Sequence, residues 1–242
     1  MRQKKRTFAL SVAAVLLVPA GWYPEARAQL EPITTTILCN TAATCAAAGL
    51  PNVNAATLRR PATDVLGRAH VGIEITHDSS SYGNFSACTQ LAQRGFTTLC
   101  ADGPFGNSVI ADKFAYYGLE QIVPTVASAI NYLRTSVTGP AIDTVVILVN
   151  IRGVGKHPNG NNMTTPLLID ANSGHYFLRL DEMIYDNATA TLDKTYAIEE
   201  GSVHGGTECT ACESLLGLPA GYFGDTLGRT MNFMAEWLAA RF

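Results

Sequence analysis

The sequence contains few charged side chains and no run of basic residues. Charged residues make up 15% of the chain, with 17 Lys and Arg against 20 Asp and Glu, and the formal net charge is −3. Five of the basic residues and one acidic residue lie within residues 1–28, so the remainder carries 12 basic and 19 acidic side chains and a formal net charge of −7. Because nucleic acid binding depends on clustered positive charge, we expect no nucleic acid partner.

A segment long and apolar enough to span a membrane is also missing. The chain begins with MRQKKR and continues with TFALSVAAVLLVPAGW, which is shorter than the ~18 residues of a membrane helix. A cationic start, a short apolar stretch and the small residues of Ala26-Arg27-Ala28 are typical of a secretory signal peptide. The alternative is an uncleaved N-terminal anchor. We predict that residues 1–28 are a signal peptide, that the protein is periplasmic or secreted, and that no membrane association remains after cleavage.

The six cysteines do not have the spacing of a zinc site. Cys209 and Cys212 form a CxxC, and no second CxxC or CxxH accompanies them, whereas a structural zinc site needs four ligands. We therefore predict no metal and no cofactor, and local disulfides that join Cys39 to Cys45, Cys88 to Cys100 and Cys209 to Cys212. A redox CxxC is another interpretation of the last pair, but that motif normally opens a helix within a thioredoxin-like unit, which the surrounding pattern does not indicate.

Apolar segments of strand length alternate with amphipathic segments of helical length. Residues 29–60 are rich in Thr, Ala and Asn with weak periodicity, and we expect an irregular N-terminal segment there. Over residues 61–242 the pattern predicts an α/β domain with a mainly parallel open sheet and helices on both faces. The predicted strands are 70–77, 96–102, 143–151, 166–171 and 194–200, and the predicted helices are 84–94, 118–137, 175–187 and 225–241.

The most apolar of these strands, 143–151, reads DTVVILVNI, and we expect it to be buried on both faces. Ligands of open parallel sheets bind outside the carboxyl ends of the strands. The segments that follow each predicted strand are therefore the candidate site. One of them, residues 200–213, carries a single histidine between the last strand and the closing helix.

Three segments resemble a family of exported bacterial α/β-fold hydrolases of the serine-esterase type. They are HDSSSYGNFSACTQLAQRGFTTLCA at 77–101, PLLIDANSGHYFLR at 166–179, and DKTYAIEEGSVHGGTECTACE at 193–213. With the strand at 143–151 and the closing helix, the resemblance covers most of residues 60–242. It implies hydrolysis of an ester or related acyl bond by a Ser-His-acid triad. It also implies that His204 is the general base and that the backbone around Asp78 and Ser79 forms an oxyanion hole.

The chain departs from this family at the nucleophile. The family carries a Gly-His-Ser-Gly-Gly-like elbow after the strand at 143–151, but this sequence reads NIRGV at 150–154, with Arg152 at the elbow position, and contains no GxSxG. Arginine stays protonated and is not a nucleophile. The 14 residues 152–165 barely bridge to the next strand, because a parallel crossover needs about a dozen residues or more. We therefore expect a truncated hydrolase-like fold without its cap and one crossover.

The acid and the nucleophile each have more than one candidate. The family's acid position is occupied by His175, whereas Asp170 lies earlier and Asp181 later than that position. Ser79, Ser80 and Ser81 are the candidate displaced nucleophiles near the oxyanion loop.

Three functional hypotheses follow. The first is an ester or acyl hydrolase that uses His204. The second is a catalytically inactive hydrolase-fold protein that binds a small anionic ligand or a partner through Arg152. The third is a truncated family member with little function of its own.

Overall fold

A computed structural model of the chain describes residues 29–77, 85–103, 119–150, 164–174, 178–203 and 205–242. The predicted strands and helices are confirmed within these ranges, and their ends shift by a few residues at most. In chain order the elements are β1 (Ile33–Cys39), α1 (Ala42–Ala47), β2 (Ala55–Pro61), β3 (Val71–His77), α2 (Ser86–Gln93), β4 (Thr97–Asp102), α3 (Leu119–Thr135), β5 (Thr144–Asn150), β6 (Leu167–Asn172), α4 (Leu178–Asn187), β7 (Lys194–Glu199), α5 (Thr210–Leu216) and α6 (Thr226–Ala239).

The strands form a five-stranded sheet and a separate two-stranded sheet. The larger sheet has the order β1-β2-β4-β3-β5. Its β1–β2 and β2–β4 pairings are antiparallel, whereas β4–β3 and β3–β5 are parallel. The smaller sheet consists of the parallel pair β6–β7. The α/β class is therefore confirmed, but the predicted mainly parallel sheet is a mixed five-stranded sheet and a separate parallel pair.

The prediction that residues 29–60 are irregular is wrong. They form β1, α1 and most of β2, and β2 pairs with β4 inside the larger sheet. Thr41 caps α1 through a capping box with Thr44, and the Cys39–Cys45 disulfide joins β1 to α1. Periodicity missed β2 because its sequence, AATLRRP, contains Arg59, which reads as a surface residue but is buried.

Helices cover both faces of the larger sheet, as predicted. On one face, Val71, Ile73 and Ile75 of β3 pack in a core with side chains of α2 and α6. On the other face, Leu99 of β4 packs with Ala129 and Leu133 of α3. Leu168 of β6 packs against the first core, and Trp237 Nε1 of α6 donates to Thr195 Oγ1 of β7 at 2.9 Å. Helix α6 therefore contacts both sheets.

Strand β5 is less buried than its sequence indicates. Ile147 is 48% exposed, and the neighbouring positions 144–146 are only half-buried. The expectation of burial on both faces is wrong for a physical reason. β5 pairs with β3, and within the described ranges no second strand lies beside it. The strands whose described side chains are all buried are β3 and β4.

All three predicted disulfides are confirmed. They join Cys39 to Cys45, Cys88 to Cys100 and Cys209 to Cys212, with Cα–Cα distances of 4.9, 6.3 and 5.2 Å. Three disulfides are compatible with an exported protein. Within the described ranges, no helix is both long enough and apolar enough to cross a membrane. The predicted signal peptide, residues 1–28, lies outside the described residues.

Candidate functional site

The predicted site residues divide into two groups. Those outside the described residues are His204, Arg152, Asp78, Ser79 and the neighbouring Ser80 and Ser81. Their roles therefore stay predictions. The two candidate acids, Asp170 and Asp181, are described, and so are the residues on each side of position 204.

The segments that follow β6 and β7 are hydrogen-bonded to each other. Ser173 N donates to Glu199 O at 3.1 Å, and Gly201 N donates to Ser173 Oγ at 2.9 Å. Gly174 N in turn donates to Ser202 O at 2.8 Å. Because β6 and β7 are parallel, both segments leave the small sheet at the carboxyl ends of its strands. These bonds join the start of the histidine loop to the turn after β6.

Ser202 lies at the centre of this junction. Its side chain is fully buried, and its Oγ lies 2.7 Å from both Asn172 Oδ1 and Glu199 O. A buried hydroxyl needs such partners, because an unsatisfied polar group in the interior costs free energy. Ser202 therefore fixes the backbone two residues before His204. The sequence did not single out Ser202, because its partners come from two different strands.

The loop that contains position 204 is held on both sides by backbone hydrogen bonds. Val203 N donates to Thr207 O at 2.8 Å, and Gly206 N donates to Val203 O at 3.0 Å. Cys209 N closes the base of the loop by donating to Gly201 O at 2.7 Å. From α6, Thr226 Oγ1 donates to Gly206 O at 2.6 Å.

Gly201 is required at the start of this loop. Its φ is +74°, in the left-handed region that favours glycine, and a Cβ there would collide with the Phe223 ring. Any other residue at position 201 would therefore disturb the turn by which the loop leaves β7.

Asp170 lies within β6, facing the side of the small sheet that also carries Leu168 and Asn172. Its Oδ2 is buried and has no hydrogen-bond partner among the described residues. Burial raises the pKa of Asp170 to about 7, with a further contribution from the negative charge of Glu199. Asp170 can therefore exchange a proton near neutral pH, but it is largely neutral below that pH.

Asp181, the second candidate acid, lies in the first turn of α4 and is half-buried. Burial raises its pKa. Burial is the main cause that raises the pKa of Tyr196 on β7, and the negative charges of Glu182 and Asp181 raise it further. Asp181 therefore lies near the β7 side of α4, and its position at a helix start favours the ionised form.

Glu199 and Arg229 form an ion pair beside the histidine loop. Arg229 Nη2 lies 2.6 Å and Nε 2.8 Å from Glu199 Oε1, and the two side chains are 47% and 17% exposed respectively. Burial raises the pKa of Glu199, and Arg229 opposes that shift. The pair connects the end of β7 to α6, so the closing helix also helps to fix the base of the loop.

A pair of carboxyls, Glu208 and Glu213, lies at the other end of the loop. Glu213 is 2% exposed, and its Oε2 and Oε1 accept hydrogen bonds from Gly221 N at 3.1 Å and Phe223 N at 3.0 Å. The hydrogen bond from Phe223 is the main cause that lowers the pKa of Glu213. A hydrogen bond to Glu213 is the main cause that raises the pKa of Glu208. The opposite directions of the two shifts favour a proton on Glu208 while Glu213 is charged.

The sequence did not identify this pair. CTACE at 209–213 was notable as a motif, but the donors to Glu213 follow it by 8 and 10 residues. Within the described ranges, no group of three or more His, Cys, Asp or Glu side chains comes together to hold a metal ion. What the described groups can do is exchange protons near neutral pH and hold a short loop in place.

Comparison with known proteins does not identify a family for this chain. No protein-family model matches the chain. No curated protein is significantly similar to it in sequence.

Proposed function

We propose that the chain is an α/β-hydrolase-type protein that hydrolyses a carboxylic ester or a related acyl bond, with His204 as the general base. The observation that carries this proposal is the anchoring of the loop around position 204. Hydrogen bonds hold Val203 and Gly206, and the buried Ser202 fixes the start of the loop. A general base has to be held within hydrogen-bond reach of the proton that it removes, and an incidental surface histidine needs no such support.

The nucleophile in this proposal comes from the loop after β3. Ser79, Ser80 and Ser81 follow the carboxyl end of β3, which is parallel to both β4 and β5. In open sheets this is the edge where ligands bind. The backbone N–H groups at Asp78 and Ser79 would then stabilise the oxyanion that forms when the serine attacks the carbonyl carbon.

Asp170 and Asp181 remain the two candidates for the acid that orients His204. Asp170 has a pKa of about 7, so it becomes the charged partner of an imidazole only as the pH rises through that value. Asp181 also has a raised pKa, through burial. If Asp170 is the acid, the rate should increase with pH across the neutral range.

The proposed hydrolase acts outside the cytoplasm. The signal-peptide pattern of residues 1–28 and three disulfides both support a periplasmic or secreted protein. The substrate would then be a small ester that is present outside the cytoplasm.

The test is hydrolysis of p-nitrophenyl acetate and butyrate by the purified protein and by His204→Ala. General-base catalysis typically contributes a factor of about 10² to 10⁴, so we expect the variant to lose at least about a hundredfold in kcat. His70→Ala is the matched control, because His70 precedes β3 at the end opposite the candidate site, where its Nε2 lies 3.4 Å from Phe242 O. It should leave the rate unchanged.

Labelling with a serine-directed fluorophosphonate, followed by peptide mass spectrometry, identifies the nucleophile. Modification within residues 79–81 supports the proposal. If the protein neither turns over these esters nor becomes labelled, ester hydrolysis is rejected. Ligand screening against a non-catalytic anion site at Arg152 would then follow.

A further inference from the structure

We propose that Cys209–Cys212 is a redox-active disulfide that exchanges with an external dithiol, and that its reduction releases the loop at residues 201–209. The proposal does not depend on ester hydrolysis. It starts from the difference between this disulfide and the other two.

The three disulfides differ in burial. Cys88 and Cys100 are both fully buried in the core between α2 and β4. Cys39 and Cys45 are 5% and 0% exposed. Cys212 is only half-buried and is the least buried of the six cysteines. Since exchange requires a thiolate to reach a sulfur atom, Cys212 is the sulfur at which an external thiol can attack.

Cys212 Sγ has close neighbours on one side. A Cβ built at Gly174, in the turn after β6, would lie 3.5 Å from this sulfur and 3.0 Å from both Ser202 O and Val203 Cγ1. Gly174 is itself exposed. The disulfide therefore lies beside an exposed glycine at the end of the small sheet, and the partial exposure of Cys212 is what gives an external thiol access.

Cys209 has the features of a leaving group. It is the N-cap residue of α5, and its Sγ accepts a hydrogen bond from Cys212 N at 3.1 Å. A thiolate formed at Cys209 keeps this donor, and a thiolate that is stabilised in this way leaves faster. The CxxC thus lies at the start of α5, a short helix of 7 residues that the sequence pattern did not indicate.

The reductant in this exchange is a dithiol, which supplies both electrons. Its first thiolate attacks Cys212 Sγ, the Cys209–Cys212 bond breaks, and Cys209 leaves with the electron pair of that bond. The second thiol of the reductant, as its thiolate, then displaces Cys212 from the mixed disulfide. The protein gains two electrons and two protons as two thiols, and the reductant is oxidised to its own disulfide.

Reduction should act on the loop rather than on the whole fold. Cys209–Cys212 closes the shortest loop of the three disulfides, with a sequence separation of 3 against 6 and 12, so it constrains the unfolded chain least. It does fix Cys209, whose N–H closes the loop base on Gly201 O. Without the disulfide, the hydrogen bonds of Val203, Gly206 and Cys209 are left to hold residues 201–209.

The experiment is controlled reduction of the folded full-length chain. The protein is incubated in buffers of stepped reduced-to-oxidised dithiothreitol ratio, trapped with iodoacetamide, and digested for mass spectrometry. We expect Cys209 and Cys212 to be modified at least about tenfold faster than the other four cysteines, and to be protected again after return to oxidised dithiothreitol. Modification of all six cysteines at one common rate would overturn the proposal, because it would mean that reduction follows global unfolding.

Hydrogen exchange tests the effect on the loop. The peptide that covers residues 201–208 should exchange faster after selective reduction, while peptides from β4 should not change. Cys209→Ser with Cys212→Ser should reproduce the reduced behaviour, whereas Cys39→Ser with Cys45→Ser, which opens a disulfide elsewhere, should not. Equal exchange of the loop in the oxidised and reduced wild-type protein would contradict the release of the loop, whether or not either variant folds.

Discussion

Glu74 and Glu213 are two glutamates that are almost completely shielded from solvent, with 0% and 2% of their surface exposed. Glu74 lies in the centre of β3, and neither of its carboxyl oxygens has a partner among the described residues. Glu213 lies in α5, and its oxygens accept backbone hydrogen bonds from the turn at 219–223. Burial raises the pKa of Glu74 to about 8, whereas the hydrogen bond from Phe223 lowers the pKa of Glu213. At similar exposure, the presence or absence of hydrogen-bond donors therefore decides in which direction the pKa of a carboxyl shifts.

The largest expected effect is a gain in stability on removing the carboxyl of Glu74. Folding raises the pKa of Glu74 from 4.5 to about 8. Below about pH 4.5 its carboxyl is protonated in both the folded and the unfolded protein, and its full contribution to stability is present. As the pH rises from there through about 8, the unfolded protein loses the proton first, and this contribution to stability is lost. At about 1.4 kcal/mol per pKa unit the loss reaches an upper limit of about 5 kcal/mol. We expect Glu74→Leu to unfold at a higher urea concentration than the wild type at pH 9.

Glu74→Gln is the matched control for this substitution. It retains a buried polar group but cannot ionise, so the part of the wild-type loss of stability between pH 5 and pH 9 that Glu74 causes should be absent from it. The gain of Glu74→Leu over Glu74→Gln then measures the cost of the uncompensated polar atoms. If the wild type and Glu74→Gln show the same pH dependence, Glu74 does not remain protonated in the folded protein.

Asp170 is intermediate between these two glutamates, and its replacement should have the second-largest effect. Burial and Glu199 raise its pKa from 3.8 to about 7, so its stabilising contribution is present below 3.8 and is lost as the pH rises through 7. The upper limit is about 4 kcal/mol above pH 7. Asp170→Asn should therefore raise the melting temperature at pH 8, and should abolish hydrolysis if Asp170 orients His204.

Asp186→Asn is the control for this experiment, because Asp186 lies exposed on α4. It should change neither the melting temperature nor the rate. Carboxyl titration by NMR sharpens the comparison, since Glu199→Gln should lower the pKa of Asp170 by removing the neighbouring charge. An unchanged Asp170 titration in that variant would mean that burial alone causes the shift.

Glu213→Gln should be destabilising, with a smaller effect than the first two. The amide has one acceptor oxygen, so the N–H of either Gly221 or Phe223 loses its partner. Because folding lowers the pKa of Glu213, its stability is present above about pH 4.5 and is lost as the pH falls through the folded value. The melting temperature of the variant should therefore fall below that of the wild type at pH 7 and approach it in acid. Glu236→Gln on the exposed side of α6 provides a control that should not differ at either pH.

Much of the fold could be predicted from local sequence, but the buried carboxyls could not. Apolar periodicity predicted β3, α2, β4 and α6 because each pattern lies within one short window. The three disulfides were also predictable, since each joins cysteines that are close in sequence. Strand β2 was missed because Arg59 hides its buried character, and the exposure of Ile147 depends on which strand lies beside β5.

The candidate site was harder to predict because its contacts cross between elements. Ser202 is fixed by Asn172 and Glu199, and Glu213 receives its hydrogen bonds from a turn that follows α5. A charged residue in the middle of VGIEIT was a visible signal for Glu74. Its lack of partners, however, is a property of the packed core and not of that segment.

The smallest expected effect concerns Glu208, whose titration is linked to that of Glu213. The hydrogen bond to Glu213 raises the pKa of Glu208, so its contribution to stability is present below 4.5 and is lost as the pH rises through the folded value. In Glu208→Gln the side-chain amide can donate to Glu213 at every pH, so the loss of stability with rising pH that Glu208 causes should disappear. We therefore expect the melting temperature of Glu208→Gln to match that of the wild type at pH 4.5 and to exceed it slightly at pH 8. A double variant with Glu213→Gln should show no such difference, because the charged acceptor is then gone; a difference that persists would mean that Glu208 acts through another group.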